Sequence, residues 1–149
     1  MMVALKEAAA GAPGASLAAM FVIGRILFAA LFVLSGIGHL TKLPAMTQYA
    51  AAFKVPQPKL AVLVTGFMLL AGGFSILLGV YVRAGTLLLV FFLLPVAISI
   101  HPFWGVPDAM QAANQQAHFM KNLSLAGAAL LIYYFATVHP EAWIYSVGR

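Results

Sequence analysis

Between Lys59 and Arg83 the chain runs for 23 residues, 60–82, without one charged side chain. A helix of that length crosses the roughly 30 Å hydrocarbon core of a bilayer. Two more runs repeat the pattern: residues 17–39 carry a single full charge, Arg25, and residues 84–100 carry none. Charged residues make up 7% of the chain and hydrophobic ones 64%. A soluble domain carries about 25% charged residues, so this chain lacks the means to cover a water-facing surface. The sequence is that of an integral membrane protein.

The 149 residues favour one domain, and the net charge of +5 is spread over single lysines and arginines. Scattered cations beside apolar runs act as membrane-end anchors. Nucleic-acid binding needs a clustered basic stripe, and none is present, so no nucleic-acid partner is expected. With no cysteine, the chain has no disulfide, thiolate metal site or dithiol redox centre of its own.

In chain order, residues 1–16 are rich in alanine and glycine and read as a flexible tail. The membrane domain, residues 17–149, follows. Its first span is residues 17–39. Arg25 precedes His39 by 14 residues, roughly 21 Å along a helix, so the two approach opposite faces of the bilayer. Arg25 is expected to snorkel to the headgroups; pairing inside the bundle is the alternative. Residues 40–58 are a connector punctuated by Pro44, Pro56 and Pro58. Within it Met46, Tyr49, Ala50 and Phe53 recur at helical spacing, which predicts a short interfacial helix between spans one and two. The glycines of the second span, residues 60–82, permit close helix approach; packing inside the bundle is the better reading of them. Pro95 should free a carbonyl in the third span, 84–100. Residues 107–138 form one long helix, opened by Pro107-Asp108 with Asp108 as its cap. Its polar first turns give way to a fourth span at about residues 118–138. Trp143 and Tyr145 are expected to anchor the end of the chain at the interface.

Four spans place the connector and the stretch 100–117 at one membrane face. His39, Lys42, His101, Trp104, Asp108, His118 and Lys121 gather there, while Arg25, Arg83, His139 and Glu141 lie at the other. Lysine and arginine split evenly between the two faces, so the positive-inside rule assigns no orientation.

Three stretches, in order, carry a resemblance: GRILFAALFVLSGIGHLTKL, then FMLLAGGFSILLGVYVRAGTLLL, then HPFW followed by QAHFMKNLSLAGAALL. Together they resemble the DoxX family of small four-span membrane proteins, over about residues 20–138. In that family a lysine often stands in a G-x-x-K-L pattern where this chain has His39. The family takes its name from a subunit of a thiosulfate:quinone oxidoreductase. The resemblance therefore implies a cytoplasmic (inner) membrane protein, with both termini in the cytoplasm and a place in a redox or respiratory-type assembly.

The stretch 100–122 is where polar groups concentrate. His101 ends the third span beside Trp104, and His118, Lys121 and Asn122 share a helix face at i, i+3 and i+4. A quinone head requires hydrogen-bond donors, an aromatic wall and an apolar groove, and a histidine near neutrality can exchange a proton with it. His101, Trp104, His118, Lys121 and Asn122 are thus the candidate cofactor-binding residues. The simpler reading is that they cap the helices and tie down the loop. No catalytic residue is assigned. His39, His101 and His118 lack the i, i+4 spacing of a strong metal motif, so neither metal nor haem is expected.

The expected protein is an all-α four-helix membrane bundle. Its expected function is that of a small subunit of a redox assembly that binds quinone or lipid at one face. If redox-active, it would act as part of a quinone-linked oxidoreductase and not alone. The alternative is a non-redox assembly protein that packs against a larger partner. Either way its neighbours are lipid and other membrane subunits or further copies of itself.

Overall fold

A computed structural model describes residues 14–143. The expected tail therefore lies almost wholly outside the described residues, as does Tyr145. Among the described residues there are five α-helices: α1 (Ala15–Thr41), α2 (Leu43–Ala52), α3 (Pro58–Leu78), α4 (Val82–Ile100) and α5 (Ala109–Val138), followed by one 3-10 turn, Pro140–Ala142. All except α2 are long and apolar enough to cross a membrane. The fold is an all-α four-span bundle with a short helix between the first two spans, as the spacing of Met46, Tyr49, Ala50 and Phe53 predicts.

Each connection has a local cause. Pro44 and Pro58 sit in the first turns of α2 and α3, where a missing N–H costs nothing. Gly79 ends α3 at φ 71°, and the Ser75 hydroxyl donates to the Val80 carbonyl at 2.6 Å, closing the tight turn into α4. Asp108 caps α5 by accepting from the Gln111 N–H at 2.6 Å. At 30 residues, α5 is roughly 45 Å long, so its polar first turns lie at or beyond the headgroups.

The helices pack in the order α1–α3–α4–α5. In lipid, apolar surface alone does not drive helices together; close backbone approach does. The glycines of α3 provide it, as expected. A Cβ on Gly72 would lie 2.6 Å from Leu89 and 2.9 Å from the Gly85 carbonyl oxygen, and one on Gly73 would meet Val33 at 2.8 Å. The core between the four helices includes Ala29, Phe32, Leu69, Ile76, Leu89, Leu93 and Ala126. Leu27, Phe67, Phe91 and Leu131 are exposed, which gives the outer wall the apolar character that lipid requires.

Arg25 departs from the snorkelling expectation. It is 6% exposed and turns into the bundle. Its Nε donates to the Ile76 carbonyl at 3.1 Å and its Nη2 to the Leu77 carbonyl at 2.8 Å. The last carbonyls of α3 have no helical donor and form the negative end of the helix dipole, so a buried guanidinium at that depth is compensated. Trp143, expected as an exposed anchor, is 5% exposed. It packs on Phe21 at 5.0 Å and lies 5.0 Å from the guanidinium. Phe21 also meets Phe135 at 5.8 Å. These contacts fasten α1 to the end of α5 at one rim. At the other rim the space between the helices is open.

Candidate functional site

The opening at that second rim is a cavity of about 600 Å³, within the range of ligand pockets. Its walls come from every helix. Phe32, Ser35 and His39 of α1 face Phe92, Leu93 and Val96 of α4. Val62, Thr65 and Leu69 come from α3, Tyr49 from α2 with Phe53 just after it, and Lys121, Asn122 and Leu125 from α5. The α2 connector and the loop after α4 therefore share one rim, as four crossings require.

Three of the five candidate residues, His101, Lys121 and Asn122, line this cavity. Asn122 is 5% exposed. Among the described residues its amide has no hydrogen-bond partner, yet neither polar atom is sealed off from space. A buried primary amide left unpaired costs free energy, and here its open side is the cavity. His101 closes the polar end, its Nδ1–H donating to the Gln115 carbonyl oxygen at 2.9 Å.

His118 does not line the cavity. It stacks behind His101, with ring centroids 4.9 Å apart and planes inclined by 19°. The Lys121 ammonium makes a long contact of 3.5 Å to His118 Nδ1, which favours the tautomer with its proton on Nε2. Burial holds the His101 imidazole below its ordinary pKa of 6.5; the bond to Gln115 opposes this, and His118 and Lys121 add to it. The neutral form of His101 is thereby favoured.

Trp104 is also outside the cavity. It is 55% exposed and forms a cluster with Phe103 and Phe119, at centroid distances of 5.3 and 5.9 Å. This cluster braces the loop after α4 against the first turns of α5.

The cavity also takes in His39 and Lys54, which are not among the five candidate residues. His39, read as an interfacial group, is half-buried. Its Nδ1–H donates to the Ser35 carbonyl at 2.8 Å and its ring meets the edge of Phe92 at 6.1 Å. Among the described residues no three His, Asp or Glu side chains converge as metal ligands would. A second, more open hollow of about 830 Å³ lies at the opposite rim beside Arg83, Tyr133 and Trp143, the last of the described residues.

Four apolar helices long enough to cross a bilayer, with a buried arginine at one rim and a cavity lined by every helix at the other, define a small multi-span membrane protein. The chain belongs to the DoxX family, whose model matches residues 20–102. It is also 29% identical over 119 residues to "Inner membrane protein YphA" of Escherichia coli (strain K12), covering 80% of this chain and 84% of that protein. No solved structure matches significantly. The family match ends one residue past His101, so Trp104, His118, Lys121 and Asn122 lie beyond it.

Proposed function

We propose that this chain is a small inner-membrane subunit of a redox or respiratory-type assembly that holds a membrane-soluble amphiphile, a quinone or a lipid, in the rim cavity. The observation that carries this reading is Asn122: a buried amide without a protein partner among the described residues, open to a largely apolar space. His101, fixed by Gln115, offers a second polar group at the same end. The chain's own part is to desolvate the tail, orient the head and, through His101, exchange a proton with it. An inner-membrane location follows the relative's description. Termini in the cytoplasm and a redox assembly follow the family likeness to subunits of quinone-linked oxidoreductases.

The test is solvent extraction of the purified protein, with quinone and lipid quantified per chain, before and after Asn122→Leu. Retention of about one amphiphile per chain, lost in the variant, supports the reading. Equal retention by both proteins contradicts it.

The rival reading, a partner-holding scaffold without a ligand, relies on the α3 glycines as a contact surface. Gly66, Gly72 and Gly73 all face other helices of the same chain, so that surface is already occupied.

A further inference from the structure

The mouth of the cavity has one sign of charge. Its two cations, Lys54 and Lys121, line the cavity, and among the described residues no aspartate or glutamate does. The chain has only three acidic residues. Asp108 caps α5, Glu141 contacts His139 at the opposite rim, and Glu7 lies outside the described residues. Neither lysine has an ion-pair partner among the described residues.

Lys54 is also held in a conformation that lysine rarely adopts. The C-terminus of α2 closes with the Lys54 N–H on the Ala51 carbonyl at 2.9 Å and the Val55 N–H on the Ala50 carbonyl at 3.1 Å. This hydrogen-bond pair places a left-handed residue directly after the helix, a position that glycine usually fills. Here it is Lys54, at φ 57°. A strained non-glycine residue at a cavity is grounds for asking what its side chain does. Glycine would ease the backbone and leave the cavity mouth without this cation.

We infer that the amphiphile bound in the rim cavity is anionic, its carboxylate or phosphate held between Lys54 and Lys121 while its hydrocarbon tail lies among Phe32, Leu69 and Phe92. This rests on the amphiphile reading above and narrows it. Asn122, deeper than the lysines, then donates to an ester or acid oxygen below the charged group. Free fatty acids and anionic phospholipids share this chemistry.

The full chain, purified in detergent and stripped of lipid, is titrated with oleate, dioleoyl phosphatidylglycerol, dioleoyl phosphatidylcholine and a short-chain ubiquinone, with binding read by native mass spectrometry. Preference for an anionic lipid over phosphatidylcholine is expected to be about tenfold or more, since each lysine near a headgroup adds to the attraction. Tighter binding of oleate identifies a carboxylate as the head, and tighter binding of phosphatidylglycerol identifies a phosphate; either supports the inference. In Lys54→Gly the preference should shrink several-fold while thermal stability rises, because the strain is removed together with the charge. A more stable Lys54→Gly protein with an unchanged preference overturns the inference. So does ubiquinone binding tighter than that of either anionic lipid and unchanged in Lys54→Gly, although the amphiphile reading then stands. Binding of none of the four brings down both.

Discussion

Arg25 lies with its guanidinium carbon 5.0 Å from the Trp143 ring, so the first span and the end of the last are joined at a single rim. The same guanidinium closes the end of α3. The bundle is thus fastened where Arg25 sits, and the candidate cavity opens where His39, fourteen residues on, reaches the other side. Replacing Arg25 with leucine should leave the Leu77 carbonyl unpaired and the Ile76 carbonyl with only the Gly79 N–H at 3.3 Å, and cost about 2 kcal/mol, read as a lower Tm in detergent. Arg25→Lys should recover only part of this, because an ammonium lacks the fork that serves two carbonyls.

The His101 imidazole is held below its ordinary pKa of 6.5, first by burial. The unfolded chain therefore takes up a proton at a higher pH than the folded one, and folding favours the neutral ring. The sign follows: this contribution to stability is complete above about pH 6.5 and is lost as the pH falls through the folded value. A Tm series from pH 8 to pH 5 should be flat and then decline. His101→Gln should flatten the decline; an unchanged slope would assign it to other groups.

Gly72 tests whether α3 is used internally. A side chain there meets Leu89 and the Gly85 carbonyl oxygen, so Gly72→Leu should force α3 from α4 and destabilise the protein by about 1–3 kcal/mol or more. A Cβ on Gly127 would have nothing within 4 Å, so that position should accept alanine with no measurable fall in Tm. Equal tolerance at both positions would contradict the packing described.

Because the chain has no cysteine, its topology can be read with single replacements. Lys42→Cys and Met110→Cys should react with a membrane-impermeant maleimide from one compartment, and Arg83→Cys from the other. Labelling of positions 42 and 110 from different sides would remove the shared rim on which the cavity depends.

Much of this architecture is legible in the residues themselves. The uncharged runs 60–82 and 84–100 match α3 and α4 closely, because hydropathy over a membrane thickness leaves little choice of structure. The periodicity of Met46, Tyr49, Ala50 and Phe53 yields α2, and Asp108 caps α5 through ordinary short-range chemistry. What escapes the sequence depends on depth and direction. Arg25 points inward because the α3 carbonyls end at its level, a match that only the packed bundle creates. Trp143 is buried because it packs on Phe21 and the Arg25 guanidinium, a contact between distant parts of the chain. Lys54 occupies a left-handed position that sequence rules reserve for glycine. Of the candidate residues, His118 and Trp104 stand near the cavity without lining it, since a shared helix face fixes proximity but not which side of His101 a ring occupies.

The most direct measurement is photolabelling of the reconstituted protein with a diazirine-bearing amphiphile, followed by peptide mapping of the adducts. With the amphiphile seated in the cavity, adducts should concentrate on Thr65, Phe92 and Asn122, at about one per chain, and be suppressed by Asn122→Leu. Adducts confined to the outward-facing Leu27, Phe67 and Leu131, with none on the cavity walls, would contradict it.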